Sequence, residues 1–442
     1  MESKSLDRYQ NERLQFKIFK RRRHRLNSLS KDRHTYKRFR QRGQIRKNYS
    51  VFLREMENRG YIAENYVRDV VKIPKVFSFK ENYDECIIIY KMYLSSYIFG
   101  ERDLILDFSK CCQVDVANFS FLNVCTRELQ TFKDRYNWNM FNKTNKHIRC
   151  ICSESNGLAN RYLNAFGYCD LDNKYKDGTR FLPLNLICGK GRSSFSENPK
   201  SIACRRIVDF VNASGEPFDV SLTSYSRNYL EGFLSEVLNN AEDHSLRNSE
   251  WYVNGISFNL KKNNTEVVEV NLAIINIGPS MYEGFEGTKF ENTDIYEKLE
   301  RLFQIHKSQF SILKSFEREP LFMLYMLNEG ISRLKYKDES RGNGTMNFID
   351  SFISLGSFGE KNPAFSSTLN VISGHSVLTC DNKYKPFKNG EFRQISLNKD
   401  NDIRKLPDSD YVSYHNENFP GTILEARVYL NREHILEQIT AI

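Results

Sequence analysis

The chain lacks the features that define several large protein classes. No apolar run approaches the roughly 18–20 residues that a membrane-spanning helix needs, and we expect no secretory signal peptide at its start. The ten cysteines include no paired Cys-x-x-Cys knuckles with matching histidines, so a structural zinc site is not predicted. Cysteines scattered without a disulfide framework fit a reducing cytoplasm, where most would be small buried hydrophobic residues.

The rest of the composition is ordinary except for the distribution of charge. The chain has 442 residues, of which 40% are hydrophobic and 27% charged, which predicts a globular protein of two or three domains. Residues 1–50 hold 17 Lys+Arg and 4 Asp+Glu, a net charge of +13, whereas the whole chain carries +10. Residues 51–442 therefore carry −3, and the basic character belongs to the N-terminal segment alone.

Residues 1–65 are predicted to form a basic, helical or flexible N-terminal arm. Its densest clusters contain Arg21, Arg22, Arg23, Arg25, Lys37, Arg38, Arg40 and Arg42. Such clusters neutralise phosphates and release counterions, and the interleaved Tyr36, Phe39 and Tyr49 can stack on bases. We expect nucleic-acid binding through residues 1–50; a solvated tail, or an arm that docks on an acidic protein, is the alternative.

A second region, about residues 70–190, alternates strand and helix signals, which predicts a small α/β domain. We expect strands at 86–90, 104–108 and 147–152 and helices at 119–132 and 157–166. The strand at 104–108, followed by residues 114–118 and a helix, resembles a STAS domain of the anti-sigma-factor-antagonist type. Val116 and Ala117 stand where a phospho-switch has hydroxyl groups, so the resemblance implies a scaffold or docking role.

A third region, about residues 200–442, carries the motifs with chemistry. The glycine-rich run 189–192 just before it lacks the order of a P-loop and is predicted to be a linker turn. In 229–241 the apolar residues recur at helical spacing. Glu236, Asn240 and His244 are one turn apart on another side of that helix. A carboxylate and a carboxamide stacked in this way can hold an attacking water and a Mg²⁺ ion side by side.

The pattern E-x-x-x-N-A-x-x-H at 236–244 resembles the N-box of the GHKL ATPases, the gyrase, heat-shock chaperone, histidine kinase and MutL type. The resemblance implies that Glu236 is the general base that orients the attacking water. It implies that Asn240 binds Mg²⁺ through its side-chain oxygen, with phosphates and waters completing the octahedron. His244 is interpreted as a helix-end cap, a core histidine or a phosphate contact.

Residues 267–275 are predicted to be a central strand that ends in Asn-Ile-Gly-Pro-Ser, which resembles the first GHKL glycine box. In that family an Asp accepts a hydrogen bond from the adenine amino group, and glycines let the backbone approach the base. Here Asn276 replaces the Asp, Gly278 is kept, and Ser280 replaces the second Gly. The Asn276 oxygen can accept from adenine, and its amide can donate to a guanine oxygen; adenine is the expected base.

Two further segments follow in the order of the family. Gly342, Gly344 and Thr345 precede an apolar-periodic stretch and resemble the second glycine box, a phosphate cradle at a helix N-terminus. Thr422, at the start of a strand, resembles the Thr of the third box, which supports the adenine-binding side chain. The interval 281–341 corresponds to the ATP lid. Further candidate phosphate contacts within this interval are Lys307, Arg333 and Lys335.

The fold expected is α/β: a basic arm, a STAS-like domain at 70–190, and a Bergerat two-layer α/β sandwich at 200–442. The resemblance implies a cytoplasmic Mg-ATP-dependent switch with slow hydrolysis, a moving lid, and a homodimer or protein partner. It suits prokaryotic regulation or anti-phage defence. Two alternatives stay open, a protein serine kinase of the anti-sigma-factor type and a nucleotide-binding scaffold that does not hydrolyse. No dimerisation helix with a phospho-accepting histidine precedes the N-box, which argues against a histidine kinase.

Overall fold

Two compact units share the chain: Val51–Gln130 with Asn145–Ile442, and Met1–Ser50 with Thr131–Thr144. The computed structural model describes residues 42–140, 146–152, 157–169, 181–190, 198–216, 221–247, 249–262, 265–312, 314–329, 331, 346, 349, 365–390 and 392–430. In the smaller unit, residues 42–47 are helical. Asn48 Nδ2 donates to the Gln44 carbonyl at 2.9 Å, and the Tyr49 and Phe132 rings pack edge to face.

The first half of the larger unit contains parallel strands joined by helices. Its elements are α1 (Val51–Asn58), β1 (Val70–Lys72), β2 (Val76–Phe77), α2 (Tyr83–Phe99), β3 (Leu104–Asp107), β4 (Gln113–Val114), α3 (Val116–Met140), β5 (Ile148–Ile151) and α4 (Leu158–Ala165). Strands β1, β3 and β5 form a parallel sheet in that order, and β2 pairs in parallel with β4. The predicted strands at 104–108 and 147–152 and both predicted helices are confirmed.

The predicted strand at 86–90 is wrong, because these residues lie within helix α2. The helix continues the apolar run to Phe99 and is buried on most sides, so it shows no alternation of apolar and polar residues. Asp84 and Glu85 occupy its first turn, where negative charge favours the positive end of the helix dipole. A short apolar run does not by itself distinguish a buried helix from a buried strand, and here tertiary burial decides.

The second half of the larger unit is built on an antiparallel sheet. Its elements are β6 (Phe181–Lys190), α5 (Pro199–Gly215), α6 (Ser224–His244), β7 (Glu250–Lys262), β8 (Thr265–Ile277), α7 (Met281–Glu286), α8 (Thr293–Lys307), α9 (Arg318–Met326), β9 (Thr368–Asp381), β10 (Phe387–Asn389), β11 (Phe392–Gln394) and β12 (Val412–Leu430). The order of the five long strands is β6-β7-β8-β12-β9, and every neighbouring pair is antiparallel. The predicted central strand is β8.

Helices cover both faces of this sheet. On one face, here called the core face, Trp251, Val253 and Ile274 pack with Leu234 and Leu238 of α6 in one hydrophobic core. The opposite face, here called the polar face, packs against α3. A row of directly opposite residues crosses four strands on the polar face: Asn254, Ala273, Glu425 and Asn370. The protein is therefore a mixed α/β fold, as predicted.

Two smaller expectations are corrected. Gly189 and Lys190 are not a linker turn, since they end strand β6 opposite Trp251 and Glu250. A Cβ atom at Gly189 would lie 1.9 Å from Trp251 Cζ2, so only glycine leaves room for the indole.

The structure also joins Cys152 to Cys169 in a disulfide, whereas scattered thiols were expected. Among the described residues, no helix is both long and apolar enough to cross a membrane.

Candidate functional site

Helix α6 presents two different sides. Leu234, Val237, Leu238 and Ala241 are buried against the core face. Glu236 and Asn240 are four residues apart, hence neighbours on another side of the helix, and both are partly exposed. Neither side chain has a hydrogen-bond or ion-pair partner in the part of the chain that the structure describes. A carboxylate and an amide one turn apart are therefore available to a ligand.

The neighbouring Asn239 has a different environment from Asn240. The ammonium group of Lys200, in the first turn of α5, donates to Asn239 Oδ1 at 2.6 Å and forms an ion pair with Glu242 at 2.9 Å. These contacts tie α5 to a different side of α6 from the one that carries Glu236 and Asn240. Of the two adjacent asparagines, only Asn240 is without a partner among the described residues.

The end of strand β8 is held between α6 and β12. The Leu246 amide, just after α6, donates to the Ile277 carbonyl at 2.9 Å, and the Gly278 amide donates to the Pro420 carbonyl at 3.1 Å. A Cβ atom at Gly278 would lie 2.9 Å from the Leu246 nitrogen. Gly421 has φ +148°, and a Cβ there would lie 2.0 Å from the Asn276 carbonyl oxygen. Both glycines allow a backbone approach that other residues would block.

Four side chains form a row across the strands at this end of the sheet, here called the strand-end row. Trp251 of β7 lies directly opposite Asn276 of β8, which lies opposite Thr422 of β12, which in turn lies opposite Ser373 of β9. Directly opposite residues share a face. Because Trp251 belongs to the hydrophobic core packed under α6, the row lies on the core face. The sheet thus brings Asn276 and Thr422 together from positions 146 residues apart in the chain.

Two hydrogen-bond donors in the strand-end row have no acceptor. Asn276 is 5% exposed and Trp251 1% exposed. Among the described residues, Asn276 Nδ2 and Trp251 Nε1 are both buried without a hydrogen-bond partner. A buried unpaired donor costs about 1–3 kcal/mol, and such donors in native proteins call for an explanation, such as a water or a ligand. The core face therefore ends in two buried donors for which the described residues supply no acceptor.

The two hydroxyl groups of the row bond to each other rather than to Asn276. Thr422 Oγ1 and Ser373 Oγ are 2.8 Å apart. Ser373 Oγ also donates to the Gly421 carbonyl at 3.0 Å and accepts from the Met281 amide at 2.9 Å. Ser373 was not predicted from the sequence as a site residue, and nothing in its local pattern identifies it; only the pairing of β9 with β12 does.

Arg59, which follows helix α1, holds the segment after Gly278. Its guanidinium donates to both Glu283 carboxylate oxygens, at 2.9 and 2.8 Å, and to the Gly278 carbonyl at 3.2 Å. Burial alone would lower the pKa of Arg59, but its bonds to Glu283 and Glu55 outweigh burial and raise it. Burial would raise the pKa of Glu283, and the bond from Arg59 reverses this and lowers it.

The charge pattern places Arg59 in the predicted basic arm, at 1–65, and gives no sign of this contact. The two partners are 224 residues apart, so no local pattern could reveal it. Glu283 also completes a capping box with Ser280 at the start of α7: its side chain accepts from the Ser280 amide, while Ser280 Oγ accepts from the Glu283 amide. Ser280, which stands where the glycine box of the resembled family has its second glycine, therefore starts a helix in this protein.

Several of the other predicted site residues lie outside the described part of the chain. Gly342, Gly344, Thr345, Arg333 and Lys335 lie outside the described residues. So do the predicted nucleic-acid contacts Arg21, Arg22, Arg23, Arg25, Lys37, Arg38 and Arg40. Arg42 is described and exposed, at the start of the helical residues 42–47, and Lys307 is exposed at the end of α8. His244 is the last residue of α6 and is partly buried.

The described residues contain no group of three or more His, Cys, Asp or Glu side chains that could hold a metal ion. A magnesium ion that binds through a nucleotide needs less from the protein, since phosphate oxygens and waters supply most of its six ligands. One unpaired amide oxygen, that of Asn240, fits that requirement. Comparison with models of protein families, with curated proteins and with solved structures finds no match for this chain.

Proposed function

We propose that this protein is a Mg-ATP-binding ATPase of the GHKL type that acts as a nucleotide-dependent switch. One observation carries the proposal. Asn276, at the position where the family reads the base, is buried with an unpaired amide, directly opposite Thr422 and at the end of the strand that α6 meets. The helix that meets this strand end carries Glu236 and Asn240, unpaired among the described residues.

The arrangement of the second half supports a Bergerat-type sandwich as part of the proposal. Helices α5 and α6 pack on the core face of the five-stranded sheet, so the half has a helical layer on a sheet layer. The N-box-like helix, the strand that ends in Asn276 and the strand that contains Thr422 follow one another in the order of the family. The first half, with its small parallel sheet, is proposed as a STAS-like docking scaffold.

Each site residue has one proposed role. The Asn240 side-chain oxygen would hold Mg²⁺, which neutralises phosphate charge when it is bound. Glu236, one turn earlier, would accept a hydrogen bond from the attacking water and orient it towards the γ-phosphate. Asn276 and Thr422 would bind the base at the strand end. Lid movement and a homodimer or protein partner would connect the nucleotide state to an output.

We also propose that the basic segment, residues 1–50, binds nucleic acid. The net charge of +13 over residues 1–50 exceeds what solubility requires and suits a polyanion. Arg42 is exposed to solvent in the described part of this segment. Deletion of residues 1–41 should abolish salt-sensitive binding to DNA or RNA in an electrophoretic mobility assay. Unchanged binding would remove the arm from the proposal.

The test of the catalytic proposal is a hydrolysis assay with ATP labelled at the γ-phosphate. We expect free phosphate from the wild-type protein and a rate lower by about 10²- to 10⁴-fold in Glu236→Gln, with nucleotide binding retained, because only the general base is removed. The matched control is Glu242→Gln, which makes the same change on the same helix at the side that faces Lys200. An equal loss of rate in both variants would contradict the role of Glu236.

The same assay distinguishes the two alternatives. Label transferred to protein, with little free phosphate, would indicate a serine kinase. Nucleotide binding with neither product would indicate a scaffold that does not hydrolyse.

A further inference from the structure

No hydrogen bond within the described residues fixes the orientation of the Asn276 amide. Its Nδ2 is buried without an acceptor, and no hydrogen bond to its Oδ1 is formed within the described residues. The nearest candidate to fix it, the Thr422 hydroxyl directly opposite, is 2.8 Å from Ser373 Oγ and is engaged there. Rotation of the amide by 180° therefore exchanges donor and acceptor without breaking a contact inside the protein.

The chemistry of an amide differs from that of the carboxylate it replaces. An ionised carboxylate only accepts hydrogen bonds, whereas an asparagine amide offers one acceptor and two donors. Adenine presents an amino donor beside a ring-nitrogen acceptor, and guanine or hypoxanthine presents a carbonyl acceptor beside a ring N–H donor. One orientation of the Asn276 amide matches adenine with two hydrogen bonds, and the flipped orientation matches a 6-oxopurine with two.

We propose, on the basis of the nucleotide site proposed above, that this site accepts both adenine and 6-oxopurine nucleotides. Asn276 allows this because its amide can pair with either base edge. A carboxylate at 276 that accepts from the 6-amino group of adenine would face the oxygen of a 6-oxopurine bound in the same orientation and repel it. Asn276 can present a hydrogen-bond acceptor to the amino group of adenine or a donor to the carbonyl of a 6-oxopurine. The substrate class is therefore the purine nucleoside triphosphates rather than ATP alone.

Equilibrium binding of MgATP, MgGTP and MgITP to the purified full-length chain, measured by isothermal titration calorimetry, tests the inference. We expect the dissociation constants for ATP and GTP to agree within about fivefold. ITP, which shares the carbonyl and ring N–H of GTP but lacks its 2-amino group, should follow GTP. The Asn276→Asp variant should shift the preference towards ATP by at least about tenfold, since a matched pair of hydrogen bonds at a base edge discriminates by that much or more.

The control is Asn271→Asp, a buried asparagine on the same strand but on the polar face, where Arg427 donates to its side-chain oxygen at 3.3 Å. Its ratio of GTP to ATP affinity should equal that of the wild type. If the wild-type protein binds ATP and rejects GTP and ITP by about 100-fold or more, the inference is overturned while the proposed function stands. If none of the three nucleotides binds at millimolar concentration, the nucleotide site itself is wrong. The wild-type ratio decides the question even if Asn276→Asp does not fold.

Discussion

The two faces of the five-stranded sheet differ in how completely their buried polar groups are hydrogen-bonded. On the polar face, Asn254 Oδ1 accepts from Ser120 and Asn123 of α3, and Glu425 accepts from Asn370 Nδ2 at 2.7 Å. On the core face, which is otherwise apolar, the strand-end row leaves the Asn276 and Trp251 donors unpaired among the described residues. Paired polar groups hold elements together, whereas unpaired donors cost stability unless a ligand binds them.

From this difference in hydrogen bonding, we expect substitutions on the polar face to change stability. Substitutions near the strand-end row should change nucleotide binding.

The largest expected effect concerns Asp115 and the pH dependence of stability. Burial, then the charge of Glu425, raise the pKa of Asp115 above its ordinary value. An unfolded aspartate has a pKa of about 3.9, so the stability that depends on a protonated Asp115 is full below about pH 4 and is lost as pH rises through the raised pKa of the folded protein. The free energy of unfolding, measured by urea denaturation from pH 4 to pH 8, should fall over this range. In Asp115→Asn the fall should be much smaller.

The control for Asp115 is Asp209→Asn, at an exposed carboxylate paired with Arg227, which should keep the wild-type pH dependence. ATP affinity at pH 7 should be the same in all three proteins, because Asp115 belongs to the polar face. A large loss of ATP affinity in folded Asp115→Asn would break the separation between the faces.

A smaller effect is expected from the contact between Arg59 and Glu283. The pair is partly exposed, so screening limits its coupling to about 1 kcal/mol in a double-mutant cycle of Arg59→Met and Glu283→Gln. Because Arg59 also binds the Gly278 carbonyl, Arg59→Met should weaken ATP binding by a few-fold as well. Arg59→Lys keeps the charge but not the two-pronged contact, and should recover only part of the coupling. A coupling near zero would show that the contact does not hold the strand end.

The smallest effect compares two buried threonine hydroxyls, one on each face. Thr422 on the core face bonds to Ser373, and Thr379 on the polar face donates to Asn370 Oδ1 at 2.8 Å. Thr422→Val and Thr379→Val should each cost about 1 kcal/mol of unfolding free energy. Only Thr422→Val should also lower ATP affinity, by a few-fold. Equal affinities in the two variants would place Thr422 outside the base site.

Local patterns predicted the elements that form the proposed site, and not the contacts between them. Helical spacing of apolar residues identifies α6, and a continuous apolar run identifies β8, because burial imposes those periods. The apolar run at 86–90 is buried on most sides, so its apolar and polar residues show no helical period, and the sequence favours a strand there. Asn276 could be singled out from its place at the end of β8, but the lack of a described acceptor for its amide could not, because that depends on what the neighbouring strands present.

Long-range pairing accounts for most of what the sequence could not supply. Ser373 joins the strand-end row only because β9 pairs with β12, and Arg59 reaches Gly278 from a segment that the charge pattern assigned to a basic arm. Strand β6, at the end of the predicted middle region, is an edge strand of the later sheet. Each of these contacts joins distant parts of the chain, and no window of residues contains both partners.

If a Mg-nucleotide binds beside α6, as proposed, substitutions of Asn239 and of Asn240 should affect its binding differently. The two residues are adjacent and chemically identical, but Asn239 is bound by Lys200 whereas Asn240 has no partner among the described residues. Calorimetric titration with ATP in the presence of Mg²⁺ should show saturable binding to the wild type and to Asn239→Ala. Binding should be at least about tenfold weaker in Asn240→Ala, which loses the proposed Mg²⁺ ligand. No saturable binding to the wild type, or an equal loss in both variants, would contradict the account.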